Sequence, residues 1–475
     1  MAEGAPWCDK SDDERIPRGL YSRHSLIQCE NASVEICTVM NCLGYGLEIR
    51  QARRNAYRER DRLLNERTRR TILITTGSNA EGLTGIFESD IDQMHEIKGI
   101  MCLEEGVNSD ILPNGTIVFP LNSDLCYHGH CKLYLLERLG SIISKKLRDF
   151  MCDDENGHVL LSSALFFDFY DHMENNVPGQ VLYERAGPSK PSSFGPMHRD
   201  TVPSLRCHCP GILLRWAERS RHWPPPDIVQ KVVTMGAFVV PVGFKGSEYQ
   251  HFEWRICFNA GENELVSNLN NTQVYIYVIL KMVVKDVLKP VKKEITSYTV
   301  KNIVFWLAEN NQQARFGESS LFYWLREGLK QLRTAILMIH LPYYMIPERN
   351  IMAACGLDEE QKNTFVKTIT DMMNEGQKIL LRLPKLRMAI IAHPEPLMWY
   401  SKKRVELELV NLQYTNRSMQ CLFNNGVVNT SFLWDPISQA LEKRQIEIVE
   451  EVVQRMNLEG SWFLDLAEIG ITMMK

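Results

Sequence analysis

Two carboxylates set two residues apart, following a turn of small residues, constrain this chain more than any other feature. The apolar run Thr71–Thr76 reads as a buried strand that breaks at Gly77-Ser78, and Asp90-Ile91-Asp92 follows twelve residues after Ser78 (90 − 78 = 12). Small residues at such a break let backbone N–H groups approach a phosphate closely. On a pleated strand, residues i and i+2 share a face, so Asp90 and Asp92 stand side by side with Ile91 packed behind. Two neighbouring carboxylates repel each other unless a cation lies between them, and hard divalent ions take oxygen ligands from carboxylates and substrate phosphates. A two-metal phosphoryl-transfer site accounts for the pair; a solvated strand face next to an ordinary turn is the other reading.

Composition sets the outer bounds. A chain of 475 residues with 44% hydrophobic content buries a large core and divides into two or three domains. Lys+Arg 54 against Asp+Glu 58 leaves a net charge of −4, so any polyanion surface must come from local clustering. Thirteen cysteines with no export signal at the N-terminus favour a reducing, cytoplasmic setting over a disulfide framework. The longest apolar stretches are short or interrupted by Lys281, so no membrane span is expected.

Along the chain, residues 1–45 read as a polar, partly ordered leader. A helix follows from about Leu47 to Thr68, with Ile49, Ala52, Ala56 and Leu63 on one side and nine arginines, among them Arg54, Arg58 and Arg62, crowding the rest. This basic helix leads directly into the strand that carries Gly77-Ser78. Further strands are expected near Ile97–Leu103, Thr116–Phe119 and Cys131–Leu136, the last running into a helix to about Phe150. Pro178–Pro196 reads as a loop, and Asp200 leads into an extended segment pointing toward the first two aspartates. Helices are expected around Gly211–Arg221 and after Trp223-Pro224, then strands at Phe238–Gly243 and Phe252–Phe258. From Glu262 the pattern turns helical, with helices at Leu265–Leu288, Ser297–Glu309 and Ser320–Ile339 and a helical tail from Ala353. Asp435-Pro436 caps a tail helix striped by Leu441, Ile448, Val452 and Met456.

These segments, in this order, resemble the cyclic GMP-AMP synthase-like nucleotidyltransferases that include the male-abnormal (Mab-type) proteins. The resemblance rests on Gly77-Ser78 with Asp90-Ile91-Asp92, Asp200-Thr-Val, Trp223-Pro224, Val239–Gly243, Glu253-Trp254-Arg255 through Glu262, Lys281, Ser297–Lys301 and Tyr344–Glu348, across roughly residues 50–355. It implies an α+β fold: a nucleotidyltransferase mixed-sheet core at 46–262 with its basic spine helix, a helix-hairpin-helix-like lobe at 263–355, and a helical extension at 356–475. It further implies that Asp90, Asp92 and Asp200 hold two Mg²⁺ or Mn²⁺ ions and that Gly77 and Ser78 grip a triphosphate. Arg255 and Glu262 would contact a base or its phosphates, Lys281 and Ser297 a phosphate, and Tyr298 would stack on a base. The implied reaction joins ATP, GTP or other ribonucleoside triphosphates into a cyclic dinucleotide messenger of innate immunity. Double-stranded RNA or DNA would activate it through Arg54, Arg58 and Arg62. Arg255 paired with Glu253, Tyr298 as core and Lys281 as a solvated position are the plainer readings, and a non-catalytic Mab-type scaffold is the alternative function.

Two departures narrow the resemblance. Asn268–Lys281 contains no His or Cys, so the zinc insertion of the vertebrate DNA sensor is missing, and Cys257 stands where relatives commonly have Ser. The remaining metal-like cluster, His198, Cys207, His208 and Cys209, has Cys-x-Cys spacing and reads as buried thiols rather than structural zinc.

Overall fold

The computed structural model describes residues 20–110, 112–135, 148–153, 157–173, 179–288, 295–423, 434–460 and 466–473. The expected helix between Leu136 and Phe150 falls for the most part outside the described residues. So does the first part of the leader. The described residues form a mixed α+β structure with one large sheet and many helices, and they divide into two compact units.

The sheet unit takes in the described parts of Leu47–Leu214, Val232–Glu264 and Trp399–Lys475. Its strands are β1 (Thr71–Thr76), β2 (Ile91–Glu104), β3 (Ile117–Asn122), β4 (His130–Leu133), the separate hairpin β5 (Met151–Asp153) and β6 (Val159–Leu161), β7 (Gln180–Leu182), β8 (Lys190–Phe194), β9 (Met197–His208), β10 (Ala237–Val240) and β11 (Trp254–Cys257). The long strand β2 organises them. Its first half pairs antiparallel with β1, its second half pairs parallel with β3, and β9 runs parallel along its other side. The exchange of neighbours coincides with an irregularity between Glu96 and Met101, where Gly99 has φ +81, a left-handed conformation that glycine adopts without a Cβ penalty. Beyond it, β2, β3, β4, β11, β10 and β9 pair in a closed circuit, while β8 and β7 extend the sheet from β9.

The segment Pro178–Pro196, expected as a loop, instead carries β7 and β8. Lys190–Phe194 aligns with Met197–Thr201, so pairing to a long neighbour overrides the weak strand preference of Pro and Ser. Helix α2 (Leu47–Asn65) lies against β1, and α3 (Gly77–Glu81) is a single turn between β1 and β2.

The helical unit takes in the described parts of Met1–Gly46, Arg215–Lys231 and Leu265–Met398. Leu20–Met40, expected within a partly ordered leader, forms α1; the break before α2 falls at Gly44, which has φ 80. At the centre is α8 (Asn271–Met282), buried at every position from Thr272 to Leu280, as expected for a helix apolar on all sides. Asn270 caps it: its side chain accepts from the Gln273 N–H while Gln273 answers on the Asn270 N–H, 2.9 Å each way. Helices α9 (Ser297–Asn310) and α10 (Leu321–Met338) flank it, and Gly328 of α10 fits because a Cβ there would stand 2.9 Å from Leu280.

The tail does not behave as one extension. The 353–398 stretch belongs to the helical unit, whereas helices α13 (Leu397–Phe423, from Trp399 onward), α14 (Pro436–Leu458) and α15 (Leu466–Met473) belong to the sheet unit. Asp435 caps α14 as expected, accepting from the Ser438 N–H at 2.8 Å. Its buried stripe, Ile448, Val449 and Val452, joins Leu407, Leu412 and Ile469 around Tyr57 of α2 and Ile86. The tail therefore caps α2 and the turn that follows it, because that is where unpaired apolar surface lies. The described cysteines are free thiols apart from Cys29, which is disulfide-bonded and departs from the reduced set expected. Among the described residues no helix is long and apolar enough to cross a membrane.

Candidate active site

The turn between β1 and β2 is built by α2. Asn65 exchanges two hydrogen bonds with Leu73, its amide donating to the carbonyl at 2.8 Å and its oxygen accepting from the N–H at 2.7 Å. Asp61 accepts from both the Thr75 N–H at 2.7 Å and the Thr75 hydroxyl at 2.6 Å. Burial pushes the Asp61 carboxyl up, and these two bonds pull it back. One turn of helix earlier, Tyr57 donates to Asn79 at 2.9 Å, and the Asn79 amide donates to the backbone carbonyl of Asp90 at 2.8 Å. The inner face of α2 thus carries hydrogen bonds from the strand end to the first aspartate.

Two glycines hold the turn tight. Gly77, at φ +64, lies under Asp92, and a Cβ there would fall 2.0 Å from Asp92 Oδ2. Gly82, at φ +74, ends α3, and a Cβ there would meet the Arg50 carbonyl at 2.4 Å. Both positions therefore exclude any side chain, one to admit a carboxylate and the other to admit the backbone of α2.

The aspartates meet across two strands. Asp92 on β2 stands in register with Asp200 on the parallel strand β9, and Asp90 immediately precedes β2. Burial first, and then the Asp90 carboxylate, push the Asp200 carboxyl above its ordinary range. That repulsion is the chemistry a divalent cation relieves, and the donors are hard oxygens, so the three residues fit Mg²⁺ or Mn²⁺. Among the described residues, no three His, Cys, Asp or Glu side chains are gathered into a cage that could hold an ion as they stand.

Gly77 and Ser78 at the β1–β2 turn, Asp90 and Asp92 at the start of β2 and Asp200 on β9 therefore share one neighbourhood without forming a closed cage. Arg255 lies on β11 of the same unit, half-buried and in register with Val240, and Glu262 is buried in the first turn of the helix after it. The Glu253 carboxylate is taken by the Phe244 N–H at 2.8 Å and the Ser247 hydroxyl at 2.6 Å. Lys281, Ser297 and Tyr298 belong to the helical unit. There the Lys281 ammonium lies 5.6 Å from the Tyr277 ring centre, Ser297 is exposed at the start of α9, and the Tyr298 and Tyr343 rings are 5.9 Å apart. Of the cysteine and histidine cluster, Cys207 and Cys209 are buried while His198 and His208 are exposed, as alternation along β9 requires.

The basic helix needs the largest correction. Arg50, Arg53 and Arg54, expected outside, are 0%, 1% and 2% exposed. Arg54 donates to the Glu81 carbonyl at 3.3 Å and to Gln51 at 2.8 Å, so it is an internal strut and offers no surface to a nucleic acid. Arg58 is exposed, and Arg62 is exposed but bridged to Glu59 and Glu66. Guanidinium groups fill the inner face because the segment they meet presents backbone carbonyls, which apolar side chains cannot satisfy.

Sequence reasoning also missed a buried group in the helical unit. Glu309 accepts from the Tyr344 hydroxyl at 2.7 Å and pairs with Arg219 at 2.9 Å, and the Tyr344 ring packs against those of Phe305 and Trp306. Burial and the neighbouring Glu309 carboxylate raise the Tyr344 phenol well above its usual value. Tyr344, part of a segment that carried the resemblance, is thereby a core residue.

Residues 273–371, all within the helical unit, match the family model of the Mab-21 protein HhH/H2TH-like domain. No curated protein matches the chain.

Proposed function

We propose, from a Mab-21 C-terminal domain consistent with the Mab-21, cyclic GMP-AMP synthase-like nucleotidyltransferase family, that this chain joins ribonucleoside triphosphates into a cyclic dinucleotide. The observation that carries the reading is the register of Asp92 with Asp200, with the charge of Asp90 felt at Asp200. In this reading Asp90, Asp92 and Asp200 hold two Mg²⁺ or Mn²⁺ ions. When bound, such ions polarise the α-phosphate and lower the pKa of a ribose hydroxyl. The chain's own part is placement: Gly77 leaves room for the Asp92 carboxylate, and in this reading Ser78 and the amides of its turn receive the triphosphate. Contacts of Arg255 and Glu262 with a base or phosphate belong to the same reading, as do those of Lys281, Ser297 and Tyr298 within the helical unit. Activation by double-stranded RNA or DNA is retained for the exposed arginines only, Arg58 and Arg62.

The test incubates the purified chain with all four ribonucleoside triphosphates, Mn²⁺ or Mg²⁺, and duplex RNA or duplex DNA. A cyclic product that disappears with Asp90→Asn plus Asp92→Asn supports the reading. Product unchanged by that double substitution would sink it, and no product under any condition would favour the non-catalytic scaffold.

A further inference from the structure

The buried guanidinium of Arg53 faces two ways. Its Nε and Nη2 pair with Glu408 of α13, 2.6 Å to each carboxylate oxygen, and its Nη1 donates to the Gly82 carbonyl at 3.2 Å. Arg53 is 1% exposed and Glu408 2%, so both charges are withdrawn from water. A buried ion pair is a poor source of net stability compared with an apolar replacement, so its presence invites another explanation. Gly82 supplies one. Its own N–H bonds to the Asn79 carbonyl at 3.0 Å, and the next N–H, on Leu83, bonds to the Ser78 carbonyl at 2.9 Å. Holding the carbonyl of Gly82 therefore fixes the end of the one-turn helix that begins with Gly77 and Ser78.

The tail grips the same segment from outside. Leu407 and Leu412 pack with Tyr57 and Ile86, with Phe87 laid against that cluster, and Asn416 donates to the Ala56 carbonyl at 2.9 Å. Ile86 and Phe87, in the stretch that joins the turn to Asp90, thus pack with side chains of α2 and the C-terminal helices. All of these groups lie in the sheet unit.

We propose that Glu408 is a positioning residue of the nucleotidyl-transfer site: by orienting Arg53 toward Gly82, the C-terminal helices set the geometry of the Ser78 turn. The inference rests on the proposed function for its kinetic consequence, while its structural consequence can be read without turnover. The plainer alternative is that the pair only fastens the tail.

The two are separated with the full chain by comparing Glu408→Gln, which keeps shape and removes charge, with Ile469→Ala, which removes a buried side chain of α15 where it packs on α14. Amide exchange at residues 77–90, thermal midpoint and nucleotide incorporation are measured on each. Positioning predicts that Glu408→Gln speeds exchange at Gly82 and Leu83 about tenfold or more and lowers kcat by a similar factor with KM nearly unchanged. It predicts that Ile469→Ala, with an equal or larger drop in midpoint, leaves both within about twofold. Exchange that rises and activity that falls only in proportion to the loss of midpoint in both variants would overturn the proposal, as would unchanged exchange in Glu408→Gln. If Glu408→Gln does not fold, Arg53→Lys serves the same comparison, since a lone ammonium can keep Glu408 but loses the fork that reaches Gly82. A wild-type chain that incorporates no nucleotide counts against the proposed function, and the exchange pattern still decides the coupling.

Discussion

Helices α8 and α2 are both central to their units and are buried by opposite means. Helix α8 presents Val274, Ile276, Val278 and Ile279 to the helical unit's core and meets its neighbours mainly by shape, with side-chain hydrogen bonds from Gln273 to Gln313 and from Tyr275 to Asn41. Helix α2 buries Arg50, Arg53, Arg54 and Tyr57 and offers hydrogen-bond donors, which it spends on the carbonyls of Glu81 and Gly82 and on Asn79. A core of the first kind holds its neighbours by contact area; one of the second kind fixes individual atoms. Only the second lies behind the aspartates, which is where atomic placement matters to chemistry.

The comparison is tested hardest at the aspartates. Asp90→Asn combined with Asp92→Asn should lower nucleotide incorporation by about a hundredfold or more while the thermal midpoint stays within a few degrees. If turnover persists, the polar scaffolding of α2 supports no catalysis.

Next comes the stability of the two helices. Arg53→Ala leaves Glu408 buried without its partner and should cost about 3–5 kcal/mol in denaturant unfolding. Ile276→Ala should cost about 2–5 kcal/mol by cavity formation, with no accompanying change in exchange at residues 77–90. An Arg53→Ala penalty no larger than that of an exposed arginine would erase the distinction drawn between the helices.

A smaller effect extends polar burial to the face of β2 on the side of Ile91. Burial, and to a lesser extent Arg199, hold His95 down to about 4, and the Tyr170 hydroxyl lies in hydrogen-bond contact with its Nδ1. The unfolded chain takes up this proton near its ordinary 6.5, whereas the folded chain waits until about 4. Stability from His95 is therefore complete above 6.5 and is lost as pH falls through that window, on the order of 3 kcal/mol. Unfolding of His95→Gln followed from pH 7 to 4 should lack that component; an unchanged pH slope would contradict it.

The smallest effect is expected on the outer face of α2. Arg58→Ala and Arg62→Ala should change stability by about 0.5 kcal/mol or less. Changed to Glu, they should abolish activation by duplex nucleic acid if that face is the sensor, with binding that weakens steeply as salt rises. Activation that survives both changes would move the sensing surface elsewhere.

Much of this was legible in the chain. Strand β1, the aspartate pair, α9, α10 and the Asp435 cap all announce themselves by periodicity or by local hydrogen-bonding chemistry, which act over a few residues. The inward arginines did not. Hydropathy puts a guanidinium outside, and nothing near Arg53 in sequence shows that Gly82 and Glu408 will meet it, 29 and 355 positions away. Strands β7 and β8 were hidden for a related reason, since Pro191, Ser192 and Ser193 become a strand through pairing with β9. The division of the tail was likewise invisible, because the apolar stripe of α14 declares that it must be covered without saying by what.

The reciprocal bonds between Asn65 and Leu73 have a consequence for solubility. Strand β1 is the last strand at one end of the sheet order, and its outward N–H groups at Leu73 and Thr75 are already taken by Asn65 and Asp61. A foreign strand finds no ladder to extend there. The other end of the order is β7, with Val181 and Leu182 exposed, so any growth of this sheet into an aggregate would begin at β7 and not at β1.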